Sequence, residues 1–188
     1  MKAWLLKLLN VPGLFLIASG MMVIQSTLFT SYPLTFLQPD GILLLTLWIS
    51  MRRNFTEGGL LVLMLGYLIE IHSSAPRGMY MTHGIFIFLM THFLSKNFHV
   101  LNKRSLILVG ASMAVLSRLI ILFILYLLNR ADNEWRYSIQ LILPSAIIHG
   151  ALIPFAFQFF HRFDLWTLKN PKAEHRHEQD YYLDEEFI

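Results

Sequence analysis

Glu70 and Arg118 are the residues whose chemistry most demands an explanation, because each is an ionisable side chain inside a long apolar run. A charge near the centre of a membrane-spanning helix costs about 2.5–3.5 kcal/mol on insertion scales, so it is normally paired or functional. Counted at 1.5 Å per residue, each lies about 20 Å from the basic end of its run, which makes a buried Glu70–Arg118 pair geometrically feasible. Such a pair would fix helix register, or serve transport or partner binding. The other arrangement has Arg118 facing a water-filled cavity and Glu70 reaching the interface beside Ser73 and Ser74. His83, His92 and His149 also fall in apolar runs, where imidazoles offer zinc ligation or proton relay. No His-Glu-x-x-His spacing occurs, and beyond the polar set Thr82, His83 and Thr91 no His has a second ligand on its own helical face. Hydrogen-bonded bundle histidines are the better account. His175 and His177, in a polar stretch, lack further ligands. No nucleophile–base set, phosphate loop or paired intramembrane carboxylates emerge, so catalysis, cofactor and metal have no positive support.

The elements that must position these groups are six apolar stretches, Leu5–Thr30, Leu37–Met51, Gly58–Ile71, Met79–Leu94, Ser105–Leu128 and Tyr137–Phe160. A bilayer core of about 30 Å needs about 20 apolar residues, so the first, fifth and sixth span alone. The second, third and fourth are shorter and stand upright, draw in flanking residues or sit inside the bundle. Four spans with a re-entrant hairpin is the competing count. The expected fold is therefore all-α, a polytopic bundle of about six transmembrane helices over residues 1–163, followed by a polar cytoplasmic tail over 164–188. Trp4, Tyr32, Trp48, Tyr80, Trp135, Tyr137 and Trp166 fall near span ends, where amphipathic rings suit the headgroup layer. Pro33 and Pro39 bracket the first outer loop. Pro12 marks where an interfacial segment, Lys2–Leu9, turns into the first span.

Eleven of the 15 basic residues fall on one side: Lys2, Lys7, Arg52, Arg53, Lys96, Lys103, Arg104, Arg162, Lys169, Lys172 and Arg176. The other side holds Arg77, Arg130 and Arg136, so both termini are expected in the cytoplasm. With 188 residues, 55% hydrophobic and 14% charged, six helices leave no room for a second globular domain. The basic residues are dispersed among loops, which argues against nucleic-acid binding. Zero cysteines exclude disulfides, thiolate nucleophiles and cysteine-ligated metals. The start has a basic region like a signal peptide, but the apolar run continues past Ala18-Ser-Gly without a small-x-small site, as in an uncleaved first helix. The tail's last eight residues mix Tyr181, Tyr182, Leu183, Phe187 and Ile188 with three acids, a pattern suited either to docking on a partner or to solubility.

Three segments carry a resemblance: Gln38-Pro-Asp-Gly-Ile-Leu-Leu-Leu-Thr-Leu-Trp, Gly58-Gly, and Gly66-Tyr-Leu-Ile-Glu-Ile-His-Ser-Ser-Ala-Pro-Arg-Gly78. Together they resemble the rod shape-determining protein MreD family, over residues 38–95 by motif and over the whole chain by length and span count. Pro39, Asp40, Gly58, Gly59, Gly66, Ser73, Pro76 and Gly78 are the motif and packing positions. Glu70 stands where the family usually has Asp. The run also has a physical sense: Gly66 allows close packing, Glu70, Ser73 and Ser74 supply terminal hydrogen-bonding groups, and Pro76 with Gly78 redirects the chain.

The resemblance implies a non-enzymatic scaffold of the bacterial inner membrane in the cell-elongation and peptidoglycan-synthesis machinery. Its partner would be an MreC-like single-span protein, and through it the MreB filament and the wall-synthesis enzymes. The alternative is the substrate-binding S component of an energy-coupling-factor vitamin transporter, which MreD-like proteins also resemble in size and layout. Glu70, His83 and Arg118 would then line a pocket, with Tyr80 or Trp135 near its mouth. An intramembrane enzyme would need activity that disappears on replacing Glu70 or a span histidine.

Overall fold

Each apolar stretch contains one helix. The computed structural model describes residues 8–29, 38–97, 102–129 and 134–167, and among these the chain is all-helical. The helices are α1 (Asn10–Leu28), α2 (Gly41–Arg52), α3 (Phe55–His72), α4 (Met79–Asn97), α5 (Lys103–Leu127) and α6 (Glu134–Trp166). α1, α3, α5 and α6 are long and apolar enough to cross a bilayer, as in a helical membrane protein. α2 is apolar but has 12 residues, about 18 Å. α4 has 19 residues but carries Thr82, His83, Thr91, His92, Ser95 and Lys96.

α2 is the centre of the bundle. Residues 41–50 are all buried, and α1, α3, α4 and α6 pack around them. Leu45, Leu47, Trp48 and Ile49 interlock with Val62 and Leu65 of α3, Ile87 and Phe88 of α4, and Ile153 and Phe160 of α6. Trp48 is 1% exposed, with its ring 5.5 Å from that of Phe160. It is therefore a core residue and not part of a headgroup belt, because the span it was expected to end is the innermost helix. Trp135 and Trp166 are exposed. α1 is the least embedded helix, burying Asn10, Leu14 and Ala18. α6 is 33 residues long and contains Pro144 and Pro154, each of which removes one ladder hydrogen bond. It continues to Trp166, so the boundary expected at residue 164 falls inside a helix whose last turn is packed into the bundle. Helix periodicity carries the chain past the point where its hydropathy fails.

The α3–α4 connection is built as its residues require. Ser73 caps α3, its N–H reaching Glu70 O at 3.3 Å, and its hydroxyl accepts from Ala75 N–H at 3.1 Å. Pro76 O accepts from Met79 N–H, and Gly78 has φ +85°, the left-handed region that glycine enters without penalty. At Gly66 the two backbones nearly touch: a Cβ there would lie 2.8 Å from Met81 Cα and 2.9 Å from Tyr80 O. At Gly58 a Cβ would meet the Phe88 ring at 2.8 Å. The interfacial segment expected before Pro12 lies outside the described residues up to position 7, as do Trp4, Tyr32, Pro33, His175, His177 and the acidic tail pattern.

Gly66→Ala should destabilise the chain by about 1–3 kcal/mol, because backbone atoms cannot move aside as a side chain can. Gly59→Ala, whose Cβ would sit an ordinary 3.6 Å from the Phe88 ring, should be neutral or slightly stabilising. Melting temperatures of both variants in detergent test this, and equal melting would remove Gly66 as the contact that sets the α3–α4 distance.

Candidate functional site

A helix of 12 residues inside an apolar bundle leaves orphan N–H groups at one end and orphan carbonyls at the other. Both ends of α2 find partners on other helices. At the N-terminus the Asp40 carboxylate accepts from Leu43 N–H at 2.9 Å, while Asp40 N–H donates to His149 Nε2 at 2.9 Å. That bond makes Nε2 the unprotonated nitrogen, and Nδ1–H donates to Ser145 O at 2.7 Å. At the C-terminus Arg53 N–H meets Ile49 O at 2.9 Å, and His92 Nδ1–H donates to Ser50 O at 3.0 Å. Two of the three span histidines thus cap the central helix. The third, His83, lies 2.8 Å from Ser117 Oγ and joins α4 to α5.

The Arg53 end holds a buried ionic node. Arg53 Nη2 donates to Asp164 Oδ1 at 2.6 Å and to Asn10 Oδ1 at 3.0 Å. Asn10 Nδ2 donates to Asp164 Oδ1 at 2.8 Å and to Thr167 Oγ1 at 2.7 Å. All four residues are at most 6% exposed. The guanidinium carbon also sits 5.1 Å from the Trp48 ring centroid, and Glu57 lies 3.8 Å away at the half-open rim. The node joins the start of α1, the end of α2 and the end of α6. Its chemistry is charge-assisted hydrogen bonding in a low-dielectric setting, where removing one partner of an ion pair typically costs about 3–5 kcal/mol. By comparison, side-chain hydrogen bonds between transmembrane helices average about 0.6 kcal/mol. The node therefore outweighs any single bond at the other end.

The Asp40 end is a polar layer one helix-length away. Glu70 Oε1 accepts from Met81 N–H at 3.1 Å, covering an orphan donor in the first turn of α4. Among the described residues Glu70 makes no ion pair with Arg118, so the expected pair is not formed. Glu70 instead turns across the tight α3–α4 contact beside Gly66. Arg118 is half-buried on α5 beside Ser117, and it and Asp40 act electrostatically on both Tyr80 and His83. Asp40, Thr46, Gly66, Tyr80, His83 and Gly84 help line a cavity of about 20 Å³ between α2, α3 and α4. That is room for one ordered water. Among the described residues no group of three His, Cys, Asp or Glu is placed to hold a metal ion.

Of the expected positions, then, Asp40 caps α2, Pro39 O accepts a hydrogen bond from Gln25 Nε2 on α1, and Gly66, Ser73, Pro76 and Gly78 shape the α3–α4 corner. Asn10, Arg53, Asp164 and Thr167 were not among them. Arg53 reads as one more loop cation and Asp164 as the first tail residue. The available signal is periodicity: Ile153, Phe157, Phe160, Asp164 and Thr167 continue one buried stripe at spacings of four and three.

Asp164→Asn and Arg53→Gln should each lower the melting temperature by the equivalent of about 3–5 kcal/mol, and the double replacement Arg53→Met with Asp164→Leu should lose less than the sum. Glu57→Gln, at the open rim, should change stability by about 0–1 kcal/mol. Additive losses in the double variant would show that the two side chains do not act as a unit. No protein-family profile, curated protein or solved structure matches this chain.

Proposed function

We propose that the chain is a non-enzymatic scaffold of the bacterial cell-elongation machinery, of the MreD kind, set in the inner membrane with six spans and both termini in the cytoplasm. It would hold an MreC-like single-span protein and, through it, the MreB filament and the wall-synthesis enzymes. The observation that carries this reading is where the buried polar groups go. His149, His92, Asp40, Arg53, Asn10 and Asp164 are engaged in tying the two ends of α2 to α1, α4 and α6. That arrangement makes a braced frame whose outward helix faces are left for lipid and for other helices.

The resemblance adds to this, because its residues occupy structurally demanding positions: the Asp40 cap, the Gly66 contact and the Pro76–Gly78 turn. The cavity beside Asp40 and His83, at about 20 Å³, is far below the roughly 300–1,000 Å³ of a small-molecule pocket. This weighs against vitamin capture at those residues. The arrangement of spans follows from the charge bias, with the Arg53 end in the cytoplasm and the Asp40 end near the outer face.

Full-length chain purified in mild detergent from bacterial membranes should bring down a single-span protein together with wall-synthesis enzymes, read by mass spectrometry. Recovery of paired ATPases with a coupling subunit would overturn the scaffold reading in favour of the transporter. The absence of cysteine gives a direct test of orientation. Ser74→Cys should react with a membrane-impermeant maleimide in intact spheroplasts, and Asn54→Cys only after lysis. The reverse pattern would invert the chain in the membrane.

A further inference from the structure

Arg118 sits at a step in the bundle. The His83–Ser117 contact fixes its level, because His83 is four residues, about 6 Å, from the Met79 end of α4. On that side α4 begins about one turn above Arg118. α5 does not end there: from Arg118 to Leu127 it continues for about another 14 Å, paired with α6. The buried residues of α5 are Leu106, Gly110, Met113, Ala114 and Ser117, so its packed face stops immediately before Arg118. The guanidinium thus stands where the end of α4 meets the longer α5, partly open, in the span of a membrane protein.

Its charge has no counter-ion in the described part of the chain. The two carboxylates at this end of the bundle are both engaged elsewhere: Asp40 on Leu43 N–H and Glu70 on Met81 N–H. Among the described residues neither comes within ion-pair distance of Arg118, and Arg118 donates no side-chain hydrogen bond. The contrast with Arg53, which has Asp164 and Asn10, is direct. An arginine in a span is costly unless its five donors are met, and its planar fork matches a phosphate better than it matches any neutral acceptor. Tyr80, which lines the same cavity as His83 and is hydrogen-bonded to Ser73, lies within electrostatic reach of Arg118 and adds a hydroxyl there. A lipid lying against α4 at this step would bring its phosphate to the Met79 end of that helix, about one turn from the guanidinium.

We infer that Arg118, with Tyr80 beside it, forms a binding site for a phosphate group at the step between α4 and α5. The depth of the step makes an anionic phospholipid headgroup the fitting source, and a water-soluble phosphate would share the same chemistry. The inference does not rest on the scaffold reading, and it stands equally for any polytopic role of the chain.

The test uses the full chain in dodecyl maltoside micelles, with melting temperature followed as phosphatidylglycerol, uncharged diacylglycerol or inorganic phosphate is added. Phosphatidylglycerol should raise the melting temperature saturably, whereas diacylglycerol should not. Arg118→Gln should weaken the response about tenfold or more, Arg118→Lys should fall between, and Arg104→Gln, at the opposite end of α5, should respond like the unaltered chain. Inorganic phosphate matching the lipid would assign the site to a soluble phosphate. Without lipid, Arg118→Gln should melt at or above the unaltered chain, because it leaves no partner stranded. Marked loss of stability there would show that Arg118 serves the fold, and an undiminished lipid response in Arg118→Gln would place phosphate elsewhere. Either result overturns the site.

Discussion

A central helix too short to cross the bilayer is the constraint on which the rest of the structure depends. At about 18 Å, α2 covers little more than half of a 30 Å hydrocarbon core, and with residues 41–50 and Arg53 buried its end groups must be satisfied largely within the protein. An unmet N–H or C=O there costs several kcal/mol, and a helix has up to four of each. The chain answers with side chains from other helices at both ends. The polar residues that looked, in a linear reading, like scattered functional candidates are largely the solution to that one problem.

Hydrophobic burial cannot supply specificity in lipid, since a leucine facing another helix is no better solvated than one facing an acyl chain. Polar contacts and close backbone approach must do so. The 41–50 stretch is apolar on nearly every face and would slide or rotate without penalty if its ends were free. His149 at one end and Arg53 with His92 at the other fix its height and its rotation. α1 shows the same logic in weaker form: it buries few side chains, yet Asn10 anchors one end in the ionic node and Gln25 reaches Pro39 O near the other. Because Asn10 and Asp164 are 154 residues apart, the node also closes the bundle by joining the first and last described helices.

How much of this was legible in the sequence depends on which coordinate is asked for. Hydropathy locates the six described helices, since every apolar stretch contains one, and composition identifies a chain that is helical among its described residues, with elements long and apolar enough to span a membrane. Pairing was not legible: Glu70 and Arg118, matched by counting residues along their helices, form no ion pair among the described residues. Nor was azimuth, and a pair inferred from depth alone can fail, as Glu70 shows by turning to Met81 N–H. Trp48 illustrates a related limit, because aromatic residues near the end of an apolar run mark the interface only when that run reaches it. Asp164 was hidden because a hydropathy threshold ends the helix where polarity begins, although the four-and-three stripe from Ile153 through Phe160 carries straight on to it.

The two polar layers also differ in kind, and the difference bears on what each can do. The Arg53 layer is closed: its charges are paired, almost fully buried, and shared by three helix ends, so disturbing it disturbs the whole frame. The Asp40 layer is built from neutral or singly capped groups, with a water-sized cavity and a half-buried arginine at its margin. Removing one partner from the first layer strands a buried charge, whereas each contact of the second is an ordinary side-chain hydrogen bond. The two ends therefore differ in what holds them: paired charges close the first, whereas among the described residues Asp40, Glu70 and Arg118 at the second form no ion pair with one another.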